Sequence, residues 1–339
     1  MKFLVVGLGS MGKRRIRNLK RLNAGAIVGF DPRPDRRREV EQRYGIEVVA
    51  DLDRSLGQSF LDAVVVSTPP DMHVEIARSA LERGLHVFTE AGTSSEGMDA
   101  LVALSKRRRL VAAPSCTMRF HPSVKKMHEL VEGNAIGKVL AFTHHAGQYL
   151  PDWHPAEDYR KFYVSRRKTG ACREIVPFEL TWLNWLMGAQ PELVTGLRGK
   201  VSTLDCDIDD LYHTLLRYPG GALCHLQVDA IAQPAVRATR LIGQTGTIEW
   251  VAAANAVRVY NAAAKTWTDY PEPEPMVEPG YSEMSPEGMY VDEMAAFAAA
   301  CRGERPYPYS FDEDMRCLEV LYAAERAADG KSQVELPRA

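Results

Sequence analysis

The chain has 339 residues, of which 25% are charged, and its net charge at neutral pH is −2. This length suits about two domains with separate cores. The nearly balanced charge gives no reason to expect binding to nucleic acid or to an anionic membrane, and no apolar stretch reaches the ~18 residues that span a bilayer.

The first predicted strand, Lys2–Val6, leads into a glycine-rich turn and then into a predicted helix, Lys13–Leu22. The residues of the turn are Gly7, Leu8, Gly9, Ser10, Met11 and Gly12. Glycines at this spacing allow a tight turn, close approach of the backbone to a pyrophosphate, and close packing of the helix on the strand. Because the helix N-terminus faces the anion, the turn predicts a dinucleotide site.

Asp31 directly follows the second predicted strand, Ala26–Phe30. A carboxylate at this position can bind both ribose hydroxyls and repels a 2′-phosphate, so we expect NAD as the cofactor. Arg33 or Arg36 could accept a 2′-phosphate, which leaves NADP possible. The basic runs that follow the two turns are either solvated helix faces or part of the phosphate environment.

Strands and helices alternate through a predicted first domain, residues 1–118. The remaining strands are predicted at Val48–Val49, Ala63–Ser67, His86–Phe88 and Leu110–Ala113, and the remaining helices at Pro34–Tyr44, Asp71–Arg83 and Ser94–Arg107. This alternation predicts an α/β Rossmann domain, a doubly wound parallel sheet that binds ligands at the carboxyl ends of its strands. That rim carries Ser67, Thr68, Pro69, His73 and Glu90, which we expect to bind the cofactor.

Residues 119–339 form the predicted second domain, an α+β domain for substrate binding and oligomerisation. Helices are predicted at Ser123–Glu132, Phe178–Met187, Met289–Cys301 and Phe311–Ala328, and strands at Lys138–Gly147, Glu192–Ser202, Leu211–Tyr218, Ala222–Ala230, Val236–Ile242, Thr247–Val251 and Val257–Tyr260. Pro177 marks the expected start of the second helix. The strand pattern predicts an open, mostly antiparallel sheet whose free face is covered by another subunit in a homodimer or homotetramer.

Several motifs together resemble the Gfo/Idh/MocA family (glucose–fructose oxidoreductase, inositol dehydrogenase and MocA-type proteins) over nearly the whole chain. They are the glycine turn 7–12, Ser67-Thr68-Pro69-Pro70 with His73, Gly84 to Glu90, Arg119-Phe120-His121-Pro122, Ile136 to Val139, and Gly243 to Glu249. The resemblance implies NAD or NADP as the cofactor. It also implies oxidation or reduction of a hydroxyl or keto carbon in a sugar, cyclitol or small polyol.

The chain departs from this family at the catalytic positions. The family pattern Glu-Lys-Pro, whose lysine exchanges the substrate proton, is here Glu90-Ala91-Gly92. Phe178 falls at or beside the position of the family's histidine. Because an acid/base group contributes roughly 10²–10⁴ in rate, we expect another side chain to replace the lysine. The candidates are Glu174, His145, Lys168 and Tyr149.

Five residues are candidates for binding a sugar-like substrate. They are Arg119, Tyr149, Trp153, Arg173 and Glu179. Aromatic rings and polar groups suit a sugar, but Tyr149 and Trp153 could instead pack their loop onto the domain. Arg173 and Glu174 could form a local ion pair, Glu179 could compensate a helix dipole, and Asp229 and Arg237 could pair across neighbouring strands. The spacing of potential ligands predicts no metal site.

The cysteines and the N-terminus indicate the cellular compartment of the protein. The six cysteines include no C-x-x-C pair, and the chain enters a strand pattern at once, unlike a signal peptide. We therefore expect reduced thiols and a cytoplasmic protein.

The sequence leaves three functions open. The first is a dehydrogenase or reductase with a non-standard acid/base, acting on a sugar, nucleotide sugar or polyol. The second is a non-catalytic protein that binds NAD and a ligand, which Ala91 and Phe178 would fit. The third is a lyase or hydrolase that uses NAD for transient oxidation, with Glu174 as the base.

Overall fold

The chain folds into two compact units. The computed structural model describes residues 1–57, 60–153, 158–274, 276 and 286–337. The first unit comprises Met1–Thr117 and Glu287–Met315, and the second comprises Met118–Pro286 and Arg316–Ala339. The segment Glu287–Met315 thus belongs to the first unit, although the sequence placed it in the second domain.

The first unit is built on a parallel sheet. Its elements are β1 (Lys2–Val6), α1 (Ser10–Arg21), β2 (Ala26–Phe30), α2 (Pro34–Tyr44), β3 (Glu47–Val49), α3 (Leu52–Leu56), β4 (Ala63–Val66), α4 (His73–Glu82), β5 (His86–Thr89), α5 (Met98–Arg108) and β6 (Ala112–Pro114). Within the described residues the sheet has six strands in the order β3-β2-β1-β4-β5-β6. This order, with Phe3–Val6 of β1 and all of β4 buried at the centre, confirms the predicted Rossmann sheet.

Two glycines of the first turn have no room for a side chain. A Cβ on Gly7, whose φ is +92°, would lie 2.5 Å from the carbonyl oxygen of Ser67. A Cβ on Gly12 would lie 1.8 Å from the carbonyl oxygen of Gly7. The turn between β1 and α1 therefore requires glycine at both positions.

The second unit contains a larger sheet. Its elements before the return to the first unit are α6 (Pro122–Glu132), β7 (Val139–Gly147), α7 (Ala171–Met187), β8 (Leu193–Gly199), β9 (Leu211–Arg217), β10 (Leu223–Asp229), β11 (Val236–Gly243), β12 (Gly246–Val251), β13 (Ala256–Asn261) and β14 (Thr266–Pro271). Helix α8 (Glu287–Cys301) lies in the first unit, α9 (Phe311–Gly330) continues from the first unit into the second, and β15 (Val334–Glu335) follows.

In the described part of the second unit the sheet has nine strands, in the order β14-β13-β12-β11-β7-β10-β9-β8-β15. Only β7 and β10 pair in parallel among these strands; the other neighbours are antiparallel. The mostly antiparallel sheet confirms the predicted class. Strand β14 ends at Pro271, and residues 275 and 277–285 beyond it fall outside the described residues.

Helix α7 begins earlier than Pro177 predicted. It starts at Ala171, so Pro177 lies inside the helix and cannot donate the usual hydrogen bond to the preceding turn. The first two turns form nevertheless because Ala171, Cys172 and Val176 are fully buried or nearly so. The correction places Arg173 and Glu174 on the first turn of a helix instead of in a preceding loop.

Candidate functional site

The N-terminus of α1 offers an anion site in the first unit. Gly9 is the N-cap, no side chain caps this end, and the first turn carries no acidic residue. The partial positive charge of the helix end therefore meets no protein carboxylate on its own first turn. Together with the close approach that Gly7 and Gly12 permit, this geometry fits the pyrophosphate of a dinucleotide.

Asp31 is fixed at the end of β2. Its Oδ2 accepts a hydrogen bond from the Leu8 backbone N–H at 2.9 Å, and its Oδ1 accepts one from the Arg33 backbone N–H at 2.9 Å. The guanidinium of Arg36 lies 3.4 Å from Oδ2. The carboxylate is thus tied to the glycine turn, where the ribose of a bound dinucleotide would lie.

The rim beyond β4 is held by two side chains. His73 Nε2 lies 2.9 Å from the carbonyl oxygen of Thr68, and the Ser67 hydroxyl donates to Glu90 at 3.3 Å. Burial lowers the pKa of His73, so its imidazole is neutral at neutral pH and Nε2 carries the proton that Thr68 accepts. These bonds fix the backbone of the rim that the sequence assigned to the cofactor.

Glu90 is bound by Arg15 through two parallel hydrogen bonds. Arg15 Nε lies 2.6 Å from Oε1 and Nη2 lies 2.8 Å from Oε2, while Nη1 lies 2.8 Å from Glu293 on α8. Burial disfavours the charge on Arg15, but the two carboxylates raise its pKa above the ordinary value. Glu90 therefore acts as an internal partner of α1 as well as a rim residue.

Arg14 and Arg15 of α1 are buried in the first unit. The sequence predicted either a solvated helix face or a phosphate environment, and neither prediction describes these two residues. Arg14 Nε lies 3.0 Å from Glu287, and Asn18 donates to the same carboxylate at 2.7 Å. Both arginines are almost completely buried against α8, so they neither form a solvated face nor line a phosphate site. These contacts explain why Glu287–Met315 belongs to the first unit.

In the second unit, Glu174 lies on the first turn of α7 and is half-buried. The hydroxyl of Tyr163 donates to its Oε1 at 3.2 Å. Sequence reasoning missed Tyr163, because it lies on a short 3-10 turn, Tyr163–Ser165, and no motif marks it. The pair combines two groups that exchange protons, a carboxylate and a phenol. Lys168 is exposed three residues before the helix, and its carbonyl accepts from Arg173 at 2.7 Å.

His145 points to the opposite side of the sheet from α7. Its neighbour His144 contacts Glu179 of α7 at 3.1 Å, and adjacent strand residues alternate in direction. His145 Nε2 instead lies 2.6 Å from Asp229 Oδ2 on β10. Consequently His145 and Glu174 cannot serve the same reacting group within this unit.

Asp229 and Arg237 do not pair, which corrects the reading of a cross-strand pair. Strand β7 lies between β10 and β11, so the two side chains have separate partners. Asp229 binds His145, and Arg237 Nη2 donates to Glu179 at 2.8 Å.

Glu179 is a core residue and does not line a surface. It is fully buried in the middle of α7, where it accepts hydrogen bonds from Trp182 at 2.6 Å and Arg237 at 2.8 Å. Burial raises its pKa, but Arg237 and His144 outweigh this effect and lower it to about 2. The structure therefore favours neither a substrate contact nor the dipole role expected for a first-turn residue.

The other predicted substrate contacts have structural partners. Arg173 Nε donates to Glu325 on α9 at 2.9 Å, which replaces the expected pair with Glu174. Arg119 Nε donates to the carbonyl oxygen of Thr181 at 2.9 Å, and Trp153 Nε1 donates to that of Gln148 at 3.1 Å. Tyr149 is half-buried beside this loop.

Among the described residues no group of three histidine, cysteine or acidic side chains is arranged to hold a metal ion. In the same residues, no helix has the length and apolar character needed to cross a bilayer.

The fold and the glycine turn define a protein of two units whose first unit is a dinucleotide-binding domain. The chain belongs to the GFO/IDH/MocA family: residues 1–114 match the domain described as "Oxidoreductase family, NAD-binding Rossmann fold", and residues 124–249 match the "GFO/IDH/MocA C-terminal domain". These matches confirm the resemblance based on motifs and identify the first unit as an NAD-binding domain.

Individual relatives are more distant. The chain is 28% identical over 202 residues to 2,7-anhydro-N-acetylneuraminate hydratase of Mediterraneibacter gnavus, which covers 59% of this chain and 53% of that protein. It is 23% identical over 268 residues to UDP-N-acetylglucosamine 3-dehydrogenase of Acidithiobacillus ferrooxidans, covering 78% and 79%. The chain spans about half the length of the first curated relatives it matches.

Among solved structures, levoglucosan dehydrogenase in complex with NADH has a TM-score of 0.86 at 19% identity, and the similarity covers 100% of both chains. This similarity confirms that the fold extends over the whole chain.

Proposed function

We propose that the protein is an NAD-preferring oxidoreductase that acts on a CH–OH group of a sugar, nucleotide sugar or polyol. One observation carries the proposal: the glycine turn, the uncapped end of α1 and the anchored Asp31 carboxylate form a complete dinucleotide cradle. When bound, the nicotinamide accepts or donates a hydride. The cradle orients the dinucleotide through Gly7, Gly9, Ser10, Met11 and Gly12, with Asp31 on the ribose.

The hydroxyl proton of the substrate goes to Glu174 in this proposal. During oxidation the substrate carbon loses a hydride, its hydroxyl loses a proton to the carboxylate, and a carbonyl forms. Tyr163 supports this role because its hydroxyl, 3.2 Å away, can stabilise the carboxylate and pass the proton towards solvent. Ala91 leaves the family's lysine position without a titratable group. Lys168, exposed three residues before α7, is the next candidate. His145 is held by Asp229 on the other face of the sheet.

The test is turnover by the purified full chain with a panel of polyols, aldoses and nucleotide sugars, monitored through NADH absorbance in both directions. The proposal expects oxidation or reduction with at least one class. NADH binding without turnover of any compound would favour the non-catalytic alternative.

An NAD-assisted lyase or hydrolase is a second candidate, because one relative is named a hydratase. There Glu174 would remove a proton next to a transient carbonyl, and the hydride would return to the product. The two candidates differ in one measurement. The lyase converts substrate while NAD remains bound and no net NADH accumulates.

The face of the larger sheet away from α7 is a proposed subunit interface. Its outward side chains include exposed apolar residues, namely Leu197, Leu215, Leu223, Ile242 and Val251. Apolar groups on one continuous face favour burial against another surface, and a second copy in a homodimer or homotetramer is the simplest occupant.

We place the protein in the cytoplasm on the strength of its six free cysteines and its small-molecule chemistry.

A further inference from the structure

A small cavity inside the first unit contains two buried titratable side chains. It is lined by His73 at the start of α4, Glu90 beyond β5 and Asp314 on the first turn of α9. Both His73 and Asp314 are almost completely buried, at 3% and 6% exposure. The cavity has room for about one water molecule.

His73 links this cavity to the cofactor rim. Its Nε2 bonds the carbonyl oxygen of Thr68 at 2.9 Å, so the neutral ring has its acceptor atom at Nδ1. That Nδ1 is buried and has no hydrogen-bond partner among the described residues. A buried acceptor without a donor costs free energy, and a cavity water can supply the missing donor.

Asp314 is held at the opposite wall. Tyr309 donates to its Oδ1 at 3.0 Å. Burial, reinforced by the neighbouring Glu313, raises the pKa of Asp314 to about 7, although the Tyr309 bond opposes the shift. Asp314 therefore changes its charge within the physiological range.

We propose that His73 and Asp314 are positioning residues for the cofactor, coupled through one water in this cavity, so that protonation of Asp314 controls NADH affinity. Protonated Asp314 donates to the water, the water donates to His73 Nδ1, and His73 Nε2–H holds the rim at Thr68. This inference rests on the dinucleotide role of the first unit.

Ionisation of Asp314 should weaken the binding of NADH. It reverses the bond between Asp314 and the water, and it adds a second carboxylate to the cavity that Glu90 lines. The charged groups facing His73 are Glu90 and Asp71, and Arg15 already neutralises Glu90. No described cation lines the cavity to balance Asp314, so its negative charge repels the anionic dinucleotide.

The experiment is NADH fluorescence titration of the full chain between pH 6 and pH 8, which needs no substrate. NADH is the probe because its pyrophosphate does not titrate in this range. We expect the dissociation constant of the wild type to rise about threefold or more from pH 6 to pH 8. Asp314→Asn, which mimics the protonated acid, should bind with the affinity of the wild type at pH 6 throughout.

Asp312→Asn is the matched control. Asp312 lies on the same helical turn but is only partly buried and pairs with Lys106 at 3.1 Å, so its variant should keep the pH dependence of the wild type. His73→Phe should weaken NADH binding at both pH values, and His73→Gln, which retains a donor for Thr68, should restore part of it. Circular dichroism checks the fold of each variant.

Three outcomes would overturn the inference: a wild type with equal affinity at both pH values, an unchanged pH dependence in Asp314→Asn, or unchanged affinity in a folded His73→Phe. An absence of NADH binding at every pH would overturn the proposed function itself, so the two failures are distinguishable.

Discussion

Arg15 and Glu90 form a two-point ion pair that ties α1 to the end of β5, with hydrogen bonds of 2.6 Å and 2.8 Å. The resemblance to the family implies a lysine directly after Glu90, where this chain has Ala91. The ion pair therefore anchors the residue that precedes Ala91. The pair also bears directly on the stability of the first unit.

Replacement of Arg15 should destabilise the first unit strongly. Arg15→Met leaves Glu90 and Glu293 without their shared cation, and Glu293 is completely buried. We expect a loss of about 3–5 kcal/mol in the free energy of unfolding, measured by urea denaturation. Arg21→Met, an exposed position on the same helix, is the control and should lose less than about 0.5 kcal/mol. Equal effects of the two changes would contradict the role of the ion pair.

A methyl group at Gly12 should weaken dinucleotide binding strongly. In Gly12→Ala the new Cβ meets the carbonyl oxygen of Gly7 at 1.8 Å, so the turn or α1 must move. We expect a loss of NADH affinity of about 100-fold or more, on the order of 3 kcal/mol, by fluorescence titration. Gly57→Ala, where the nearest atoms lie at 3.6 Å, should bind NADH normally. Normal binding by Gly12→Ala would place the cofactor elsewhere.

Asp31 should determine the preference between NAD and NADP. Asp31→Ser removes the charge that repels a 2′-phosphate and leaves Arg36, now 3.4 Å from Oδ2, available to bind it. Titration with both reduced cofactors should show NADH affinity falling about tenfold and NADPH affinity rising, each tenfold change being about 1.4 kcal/mol. An unchanged ratio of the two affinities would show that another residue recognises the ribose.

Glu174→Gln should remove turnover without removing the cofactor. Glutamine keeps an acceptor for the Tyr163 hydroxyl but cannot take a proton, so kcat should fall roughly 10²–10⁴-fold while NADH affinity stays unchanged. Tyr163→Phe should cause a smaller loss and shift the pH profile. The control is Glu319→Gln on the exposed face of α9. Full activity in Glu174→Gln would redirect the search to Lys168 and Tyr149.

The free energy of unfolding should depend on pH through the ionisation of Asp314. Its pKa is about 7 in the folded chain, above the ordinary value of 3.8, so the folded state binds the extra proton between these values. Stability from this group is therefore complete below pH 4 and is lost as the pH rises to about 7. Asp314→Asn should be more stable than the wild type by about 2–4 kcal/mol at pH 8, with the difference shrinking towards pH 5. If the difference in melting temperature between Asp314→Asn and the wild type does not change with pH, the raised pKa of Asp314 is contradicted.

Local patterns predicted the parts of the fold that depend on neighbours in sequence. The alternation of strands and helices, the glycine turn and Asp31 are all readable within about thirty residues. Contacts between distant residues were not readable, such as the bond of Arg14 to Glu287, which are 273 positions apart. The start of α7 was misjudged because burial of Cys172 and Val176 outweighs the local preference of Pro177.

The candidate site was less predictable than the fold, because polar residues acquire their roles from partners. Glu179 and Arg173 look like binding residues in the sequence, yet Arg237 and Glu325 engage them. No sequence motif marks Tyr163, and it becomes a candidate only because its hydroxyl donates a hydrogen bond to Glu174.

The most direct test of the central claim is a crystal structure of the full chain with NAD and a substrate found by the turnover screen. We expect a Glu174 carboxylate oxygen about 3 Å from the substrate oxygen, with the substrate carbon about 3–3.5 Å from nicotinamide C4. A reacting oxygen surrounded only by Ala91, Phe178 and apolar neighbours would contradict it, and would show a cofactor-binding fold without this chemistry.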